Sequence, residues 1–197
     1  MRREHQLLGK PSPLPSGYQQ LNYIQANGTQ YIRLNYTPVA PECYSYIAYG
    51  EFTQLVNRVQ ILFGNDSTSM SCNKDGLCYN RQIYPNVHKF EFILRQKTGT
   101  YRKTRLVDDV IGQDNDDGYY PHQSNATFTI FTTAISGRES SYMSYAKFYG
   151  AQVFDVNGNV IREYIPALRT SDNIAGVYDT KNSAFMVNRG SGTIIYG

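Results

Sequence analysis

The sequence predicts an all-β protein, a two-sheet antiparallel sandwich preceded by an extended arm. Three observations predict it. Alternating apolar and polar residues recur along the chain, and no long helical periodicity interrupts them. The alternating runs are rich in β-branched and aromatic residues and end in turn residues. The length of 197 residues, with 41% hydrophobic and 18% charged residues, suits one domain with a real core.

The elements follow in order. Residues 1–15 carry Pro11, Pro13 and Pro15 and read as an extended arm, leaving 16–197 as the sandwich. Thr29–Asn35 alternates with Ile32 and Leu34 on one face. Arg58–Phe63 turns Val59, Ile61 and Phe63 inward, and His88–Leu94 does so with Phe90, Phe92 and Leu94. Val107–Asn125 is polar and acidic and reads as a long loop. Ala126–Thr133 sets Phe128 and Ile130 against Thr127 and Thr129. Tyr145–Asp155 and Asn159–Ile165 flank Val156-Asn157-Gly158, where Asn-Gly favours a tight hairpin. Short strands at Gly176–Asp179, Ala184–Asn188 and Thr193–Tyr196 finish the chain. The 18 tyrosines suit this design, since a ring packs on a sheet while its hydroxyl reaches water.

Charge and cysteine use narrow the function. The net charge is +3, and Arg2, Arg3 and Lys10 against Glu4 place most of it in the arm. A near-neutral body excludes a dedicated nucleic-acid binder, which needs a basic patch. Tyr101-Arg102-Lys103-Thr104-Arg105 alternates its cations over two faces and reads as a charged edge strand. No apolar run approaches the ~20 residues of a membrane span. The first thirteen residues lack the apolar stretch of a secretory signal. The sequons at Asn27, Asn35, Asn65 and Asn125 are then chance occurrences. The three cysteines read as free thiols of a reducing compartment, with Cys72 pairing Cys78 across the intervening turn as the alternative.

Two stretches then stand together: Leu14-Pro15-Ser16-Gly17-Tyr18-Gln19-Gln20-Leu21-Asn22-Tyr23-Ile24 through Gly28-Thr29-Gln30-Tyr31-Ile32, and Tyr149-Gly150-Ala151-Gln152-Val153-Phe154-Asp155 through Arg162-Glu163-Tyr164-Ile165-Pro166-Ala167. The second continues into Gly176-Val177-Tyr178-Asp179 and closes with Phe185, Asn188, Gly190, Ser191, Gly192 and Gly197. They resemble the laminin-G-like or concanavalin-A-like jelly-roll modules of gut-bacteriophage virion proteins and gut-bacterial surface proteins. Asn22 stands where that family usually has Glu, and Ala26 where it has Ser or Thr. The resemblance covers about residues 14–66 and 126–197. It implies a jelly-roll sandwich with adjacent ends, in which Gly28 makes a tight turn, Pro166 ends a strand and Gly190 and Gly192 allow the last hairpin.

Catalysis is poorly supported by the residues. The six Glu (Glu4, Glu42, Glu51, Glu91, Glu139 and Glu163) form no close pair of the kind glycoside hydrolases need, and Glu91 and Glu163 read as solvent-facing strand positions. No Gly-x-Ser-x-Gly elbow accompanies His5, His88 or His122. The polar segment offers a binding platform instead. Tyr119 and Tyr120 present flat rings for a sugar, with Asp116, Asp117 and His122 for its hydroxyls. Asp114 and Asp116 are candidate calcium ligands, although the segment lacks the twelve-residue loop with its terminal Glu. No other cofactor is expected.

The expectation is therefore a non-enzymatic phage structural protein, a capsid decoration, head-fibre or tail-fibre subunit. Arg2, Arg3 and Lys10 would anchor it to other virion proteins through residues 1–13, and the homo-oligomeric head would adhere weakly to cell-surface or mucin glycans. Virion proteins are made in the host cytoplasm and need no export signal. The alternative is a bacterial carbohydrate-binding, lectin-like module, with a glycoside hydrolase behind both.

Overall fold

The computed structural model describes residues 14–38, 44–65, 68–97, 100–117, 126–135, 138–139 and 143–197. Among these, nineteen strands and no helix occur. In chain order they are β1 (Tyr18–Gln20), β2 (Ile24–Asn27), β3 (Ile32–Arg33), β4 (Ser45–Phe52), β5 (Gln60–Gly64), β6 (Met70–Cys72), β7 (Leu77–Cys78), β8 (Arg81–Gln82), β9 (His88–Lys97) and β10 (Thr100–Val107). There follow β11 (Val110–Asp117), β12 (Thr129–Ile130), β13 (Ala134–Ile135), β14 (Arg138–Glu139), β15 (Tyr145–Phe154), β16 (Val160–Arg169), β17 (Ile174–Asp179), β18 (Ala184–Val187) and β19 (Ile195–Tyr196).

A large antiparallel sheet runs β11-β10-β9-β4-β15-β16-β17-β18. β2 takes over the edge of β15 that β16 leaves, β1 pairs the far half of β16, and β19 closes on β2. A second sheet, β3-β12-β5-β6, packs against it, and β7–β8 and β13–β14 form small ribbons. This is the expected jelly-roll sandwich. The ends meet as expected, because the Gly197 carbonyl accepts the Asn22 amide at 2.7 Å.

Alternation builds the core. On β4 the inward residues Tyr46, Ala48 and Phe52 are fully buried, while Ser45, Ile47, Tyr49 and Glu51 face the other way and are half-buried. Phe90, Phe92 and Leu94 of β9 join them. From the second sheet, Phe63 lies 5.0 Å from Tyr46 and 5.4 Å from Phe128, ring to ring. Such edge-on pairs contribute about 0.5–1.5 kcal/mol each beyond their burial.

Several local expectations are corrected. Thr29–Asn35 forms only the two-residue β3, because Gly28 and Thr29 belong to the turn and Tyr31 and Leu34 bond to the Asn188 side chain and to Phe128. Val59 precedes β5 and is 41% exposed. β5 itself is buried along its whole length, since a bulge between Ile61 and Phe63 breaks its alternation. Pro166 lies inside β16 and does not end it. Its carbonyl accepts the Leu21 amide at 3.0 Å, so its nitrogen faces the gap where β16 has left β15 and not yet met β1. No ladder bond is lost there, which is the condition under which a sheet tolerates proline. The acidic stretch that reads as a loop is, through Asp117, the β10–β11 hairpin. Its turn is Asp108-Asp109, both at positive φ (51° and 64°), a conformation that Asp adopts more readily than most residues. The Val156-Asn157-Gly158 hairpin is present as expected, with Gly158 at φ 84°.

Candidate ligand-binding face

The outer face of the large sheet, turned away from the core, gathers polar and aromatic side chains at its centre. Register places them together: Lys147 opposite Glu51, Gln152 opposite Ile47, Ile47 opposite Glu91, and Tyr49 opposite Lys89. β15 contributes twice to this face because of a bulge between Phe148 and Gly150. Lys147 and Tyr149 point outward before it. The extra residue resets the alternation, so Ala151 is buried and Gln152 points outward after it.

At the β2 side, the Tyr23 and Tyr149 rings stand 5.9 Å apart, and the Lys147 ammonium lies 5.0 Å from the Tyr23 ring centre. Glu51 accepts from the Tyr149 hydroxyl at 3.0 Å and from Lys147 at 3.4 Å. On β16, Glu163 accepts from Gln152 at 2.9 Å and from Thr180 at 2.5 Å. Glu163 is only 4% exposed, so the solvent-facing expectation is corrected: its direction is outward, but its neighbours cover it.

Toward β9, Lys89 bonds to Asp109 and lies 3.7 Å from Glu91. The Asp109 bond raises the Lys89 ammonium pKa against the opposing effect of burial. Burial raises the Tyr49 phenol pKa, with Lys89 opposing. Beside them opens a cleft of about 520 Å³, bounded by Ser45, Glu91, Ile93 and Arg95 and by Asp155 and Val156 of the β15–β16 turn. Asp155 is held below the usual carboxylate range by the Asn159 side chain and the turn amides. A smaller cleft of about 340 Å³ lies elsewhere, between β17–β18 and the residues around Gly192.

Tyrosine rings offer apolar faces to the C–H side of a sugar, and Glu51, Gln152 and Lys147 offer acceptors and donors to its hydroxyls. A few fixed polar groups among aromatic side chains is the ordinary make-up of a small-ligand site.

Only some of the residues predicted from sequence are among the described ones. Tyr119, Tyr120 and His122 lie outside the described residues, as do Arg2, Arg3 and Lys10. Asp114, Asp116 and Asp117 sit on β11, at the edge of the sheet. Asp114 is gripped by Arg102, with Nε at 2.8 Å and Nη2 closer, and by the Thr104 hydroxyl at 3.0 Å. Arg102 holds its carboxyl below the usual range. Asp116 is 3.8 Å from the same guanidinium, and Asp117 pairs with Tyr101 in the ladder. The Arg102–Thr104 alternation read from the sequence is thus the partner of the acidic strand. Among the described residues, no three His, Cys, Asp or Glu side chains gather as a metal site. His88 Nδ1 lies 2.6 Å from Asp108, clasping the hairpin turn. Cys72 and Cys78 are free and buried.

No family model matches the chain, and no curated protein matches it. Solved structures do. A candidate carbohydrate-binding protein from Bacteroides ovatus superposes with a TM-score of 0.62 at 13% identity, over 91% of this chain and 60% of that one. The CBM40 of Ruminococcus gnavus IT-sialidase superposes with a TM-score of 0.51 at 12% identity, over 69% of this chain and 90% of that one. The likeness shows the fold. This chain spans only 60% of the length of the Bacteroides ovatus protein.

Tyr23, Glu51, Lys147 and Tyr149 were not singled out from the sequence. Alternation on β15 does mark Lys147 and Tyr149 as outward. Their meeting with Glu51 depends on a strand pairing across 96 residues, which no local pattern encodes.

Proposed function

We propose that this chain is a carbohydrate-binding, lectin-like module that holds a glycan against the outer face of its large sheet without cleaving it. The observation that carries this reading is the Tyr23–Lys147–Glu51–Tyr149 cluster with Gln152 beside it. These side chains are ordered by one another, and none is needed to fill the inter-sheet core. The two superposed proteins support it, since both are described as carbohydrate-binding. Binding without hydrolysis fits the state of the carboxylates on this face. Glu51 and Glu163 are each hydrogen-bonded to two neighbouring side chains of the sheet.

The test is a glycan array probed with the protein displayed on a multivalent carrier, because a single shallow site binds weakly and multivalency raises avidity. Wild type should bind a defined glycan set. The Tyr23→Ala, Tyr149→Ala double variant should lose that binding while keeping its urea unfolding midpoint within about 1 M of wild type. Undiminished binding by this variant overturns the placement.

A second reading, a phage virion subunit that carries such a module, is favoured by the opening motif of residues 14–32 and the basic, proline-rich residues 1–13. On that reading Arg2, Arg3 and Lys10 anchor the chain to other virion proteins. Tyr119 and Tyr120 would then give a second contact with the glycan. Deleting residues 1–13 should leave the sandwich folded and abolish incorporation into particles; normal occupancy of the truncated chain refutes the anchor.

A further inference from the structure

We infer that this face takes an extended, uncharged glycan chain in preference to a terminal acidic sugar. The inference rests on the carbohydrate-binding reading and adds the class of ligand.

Charge matching is the first observation. Lys147 is 3.4 Å from Glu51, and Lys89 is 3.7 Å from Glu91 and bonded to Asp109. Beyond the centre of the face, Arg102 of β10, opposite Arg95, is gripped by Asp114, and Arg169 at the end of β16 lies 2.6 Å from Asp172. An acidic sugar would have to draw one of these cations away and then sit beside the carboxylate it left. At the centre of the face two lysines stand against Glu51, Glu91 and Asp109, so the local field is itself acidic and repels an anion. Arg95 is exposed, its charge acts on Asp114, and it shares its cleft with the carboxylates of Glu91 and Asp155. A hydroxyl-rich neutral ligand meets none of these penalties, because hydroxyls both donate and accept.

Continuity is the second observation. Tyr23 precedes β2, and the cleft of about 520 Å³ lies beside β9. From β2 to β9 the face crosses β15 and β4, three strand spacings or about 14 Å, and the cleft at Ile93, opposite Ser45, lies a further four residues or about 13 Å along β4 from Tyr49. That is longer than one sugar ring. Outward groups occupy each strand on the way: Lys147 and Tyr149, then Tyr49 and Glu51, then Lys89 and Glu91. Glu91 belongs both to this row and to the cleft wall. The aliphatic Ile47 and Ile93 lie between the charged positions and match the apolar faces of successive rings. One face therefore carries two stations joined by a polar row, the layout for a chain laid obliquely over the strands.

The experiment uses the full chain and neutral gluco-, manno-, galacto- and xylo-oligosaccharides of one to six residues, with sialyllactose and sulfated lactose as acidic probes. Affinities are read by array and then by calorimetry. In the series that binds, affinity should rise about tenfold or more between one and four residues and then level off. Raising the salt tenfold should change it less than about twofold, as expected when no ion pair with the ligand is made. An Ile93→Ser, Arg95→Ala variant should weaken the longer oligomers toward the affinity of the shortest. Tighter binding of sialyllactose or sulfated lactose than of any neutral probe overturns the inference while leaving the carbohydrate-binding reading standing. So does a monosaccharide that binds as tightly as its hexamer. Absence of binding to every probe overturns both.

Discussion

A methyl group at Gly50 should be among the least tolerated small changes in this sandwich. Gly50 lies on β4, paired on both sides, and faces the second sheet. A Cβ built there meets Leu62 Cδ2 at 2.1 Å, Cδ1 at 2.7 Å and Cγ at 2.9 Å, where ordinary carbon contacts are about 3.5–4.0 Å. Leu62 is fully buried, so it cannot swing out into solvent. Overpacking of this kind costs about 1–3 kcal/mol. Relief of the glycine's excess unfolded-state entropy offsets about 0.5–1 kcal/mol of that. Gly50→Ala should therefore lower stability by about 0.5–2 kcal/mol. Leu62→Ala alone should cost about 2–5 kcal/mol through the cavity it leaves. The two changes share one space, so the double variant should be less destabilised than the sum by at least about 1 kcal/mol. Urea unfolding followed by tyrosine fluorescence measures all three, with no tryptophan to interfere. A neutral Gly50→Ala, or strict additivity with Leu62→Ala, would refute the inter-sheet contact.

Three further outcomes are expected. Asp179 is fully buried and binds Asn35, Asn182 and Arg162, so Asp179→Ala should cost about 3–5 kcal/mol in urea unfolding, with Asp179→Asn milder; a loss under 1 kcal/mol contradicts this. Burial pushes the Cys72 thiol from 9.0 to about 11, and the Cys78 thiol and the Tyr46 and Tyr164 phenols are also raised. The folded chain then keeps protons that the unfolded chain releases, so stability is full below about pH 8 and falls as pH rises through 9 to 11, Cys72 alone accounting for up to about 3 kcal/mol. A urea midpoint equal at pH 7 and pH 10 would refute it. Finally, in a Cys43→Ser background, Cys72 and Cys78 should resist a disulfide-exchange reagent when native and react fully in urea; rapid native reaction would show that they are accessible.

Much of the fold was legible because its strands alternate cleanly. Phe90, Phe92 and Leu94 point inward as their spacing dictates, and Asn157-Gly158 sets the β15–β16 hairpin. Misreadings arose where a tertiary feature overrides the local pattern. The aspartates of 108–117 look like loop residues until Thr104 is seen across the ladder from Asp114, and Arg102 across from Asp116 and reaching Asp114. Pro166 looks like a strand end, but it fills the one gap where a missing amide costs nothing. Glu163 alternates correctly and is nonetheless covered, because burial depends on Gln152 and Thr180 from neighbouring strands. The candidate face was the least legible part. Its residues come from Tyr23 just before β2, from β4 and from β15, and only long-range pairing and one bulge bring them together.

The central claim is that the outer face of the large sheet is where ligand binds. Its most direct test is a titration of isotope-labelled protein with the tightest-binding oligosaccharide, followed residue by residue in two-dimensional NMR spectra. The largest shifts should fall on Tyr23, Glu51, Lys147, Tyr149 and Gln152, extending to Glu91 and Ile93 for longer chains. Shifts confined to β11 and residues 118–125, or to the cleft between β17–β18 and Gly192, would contradict it.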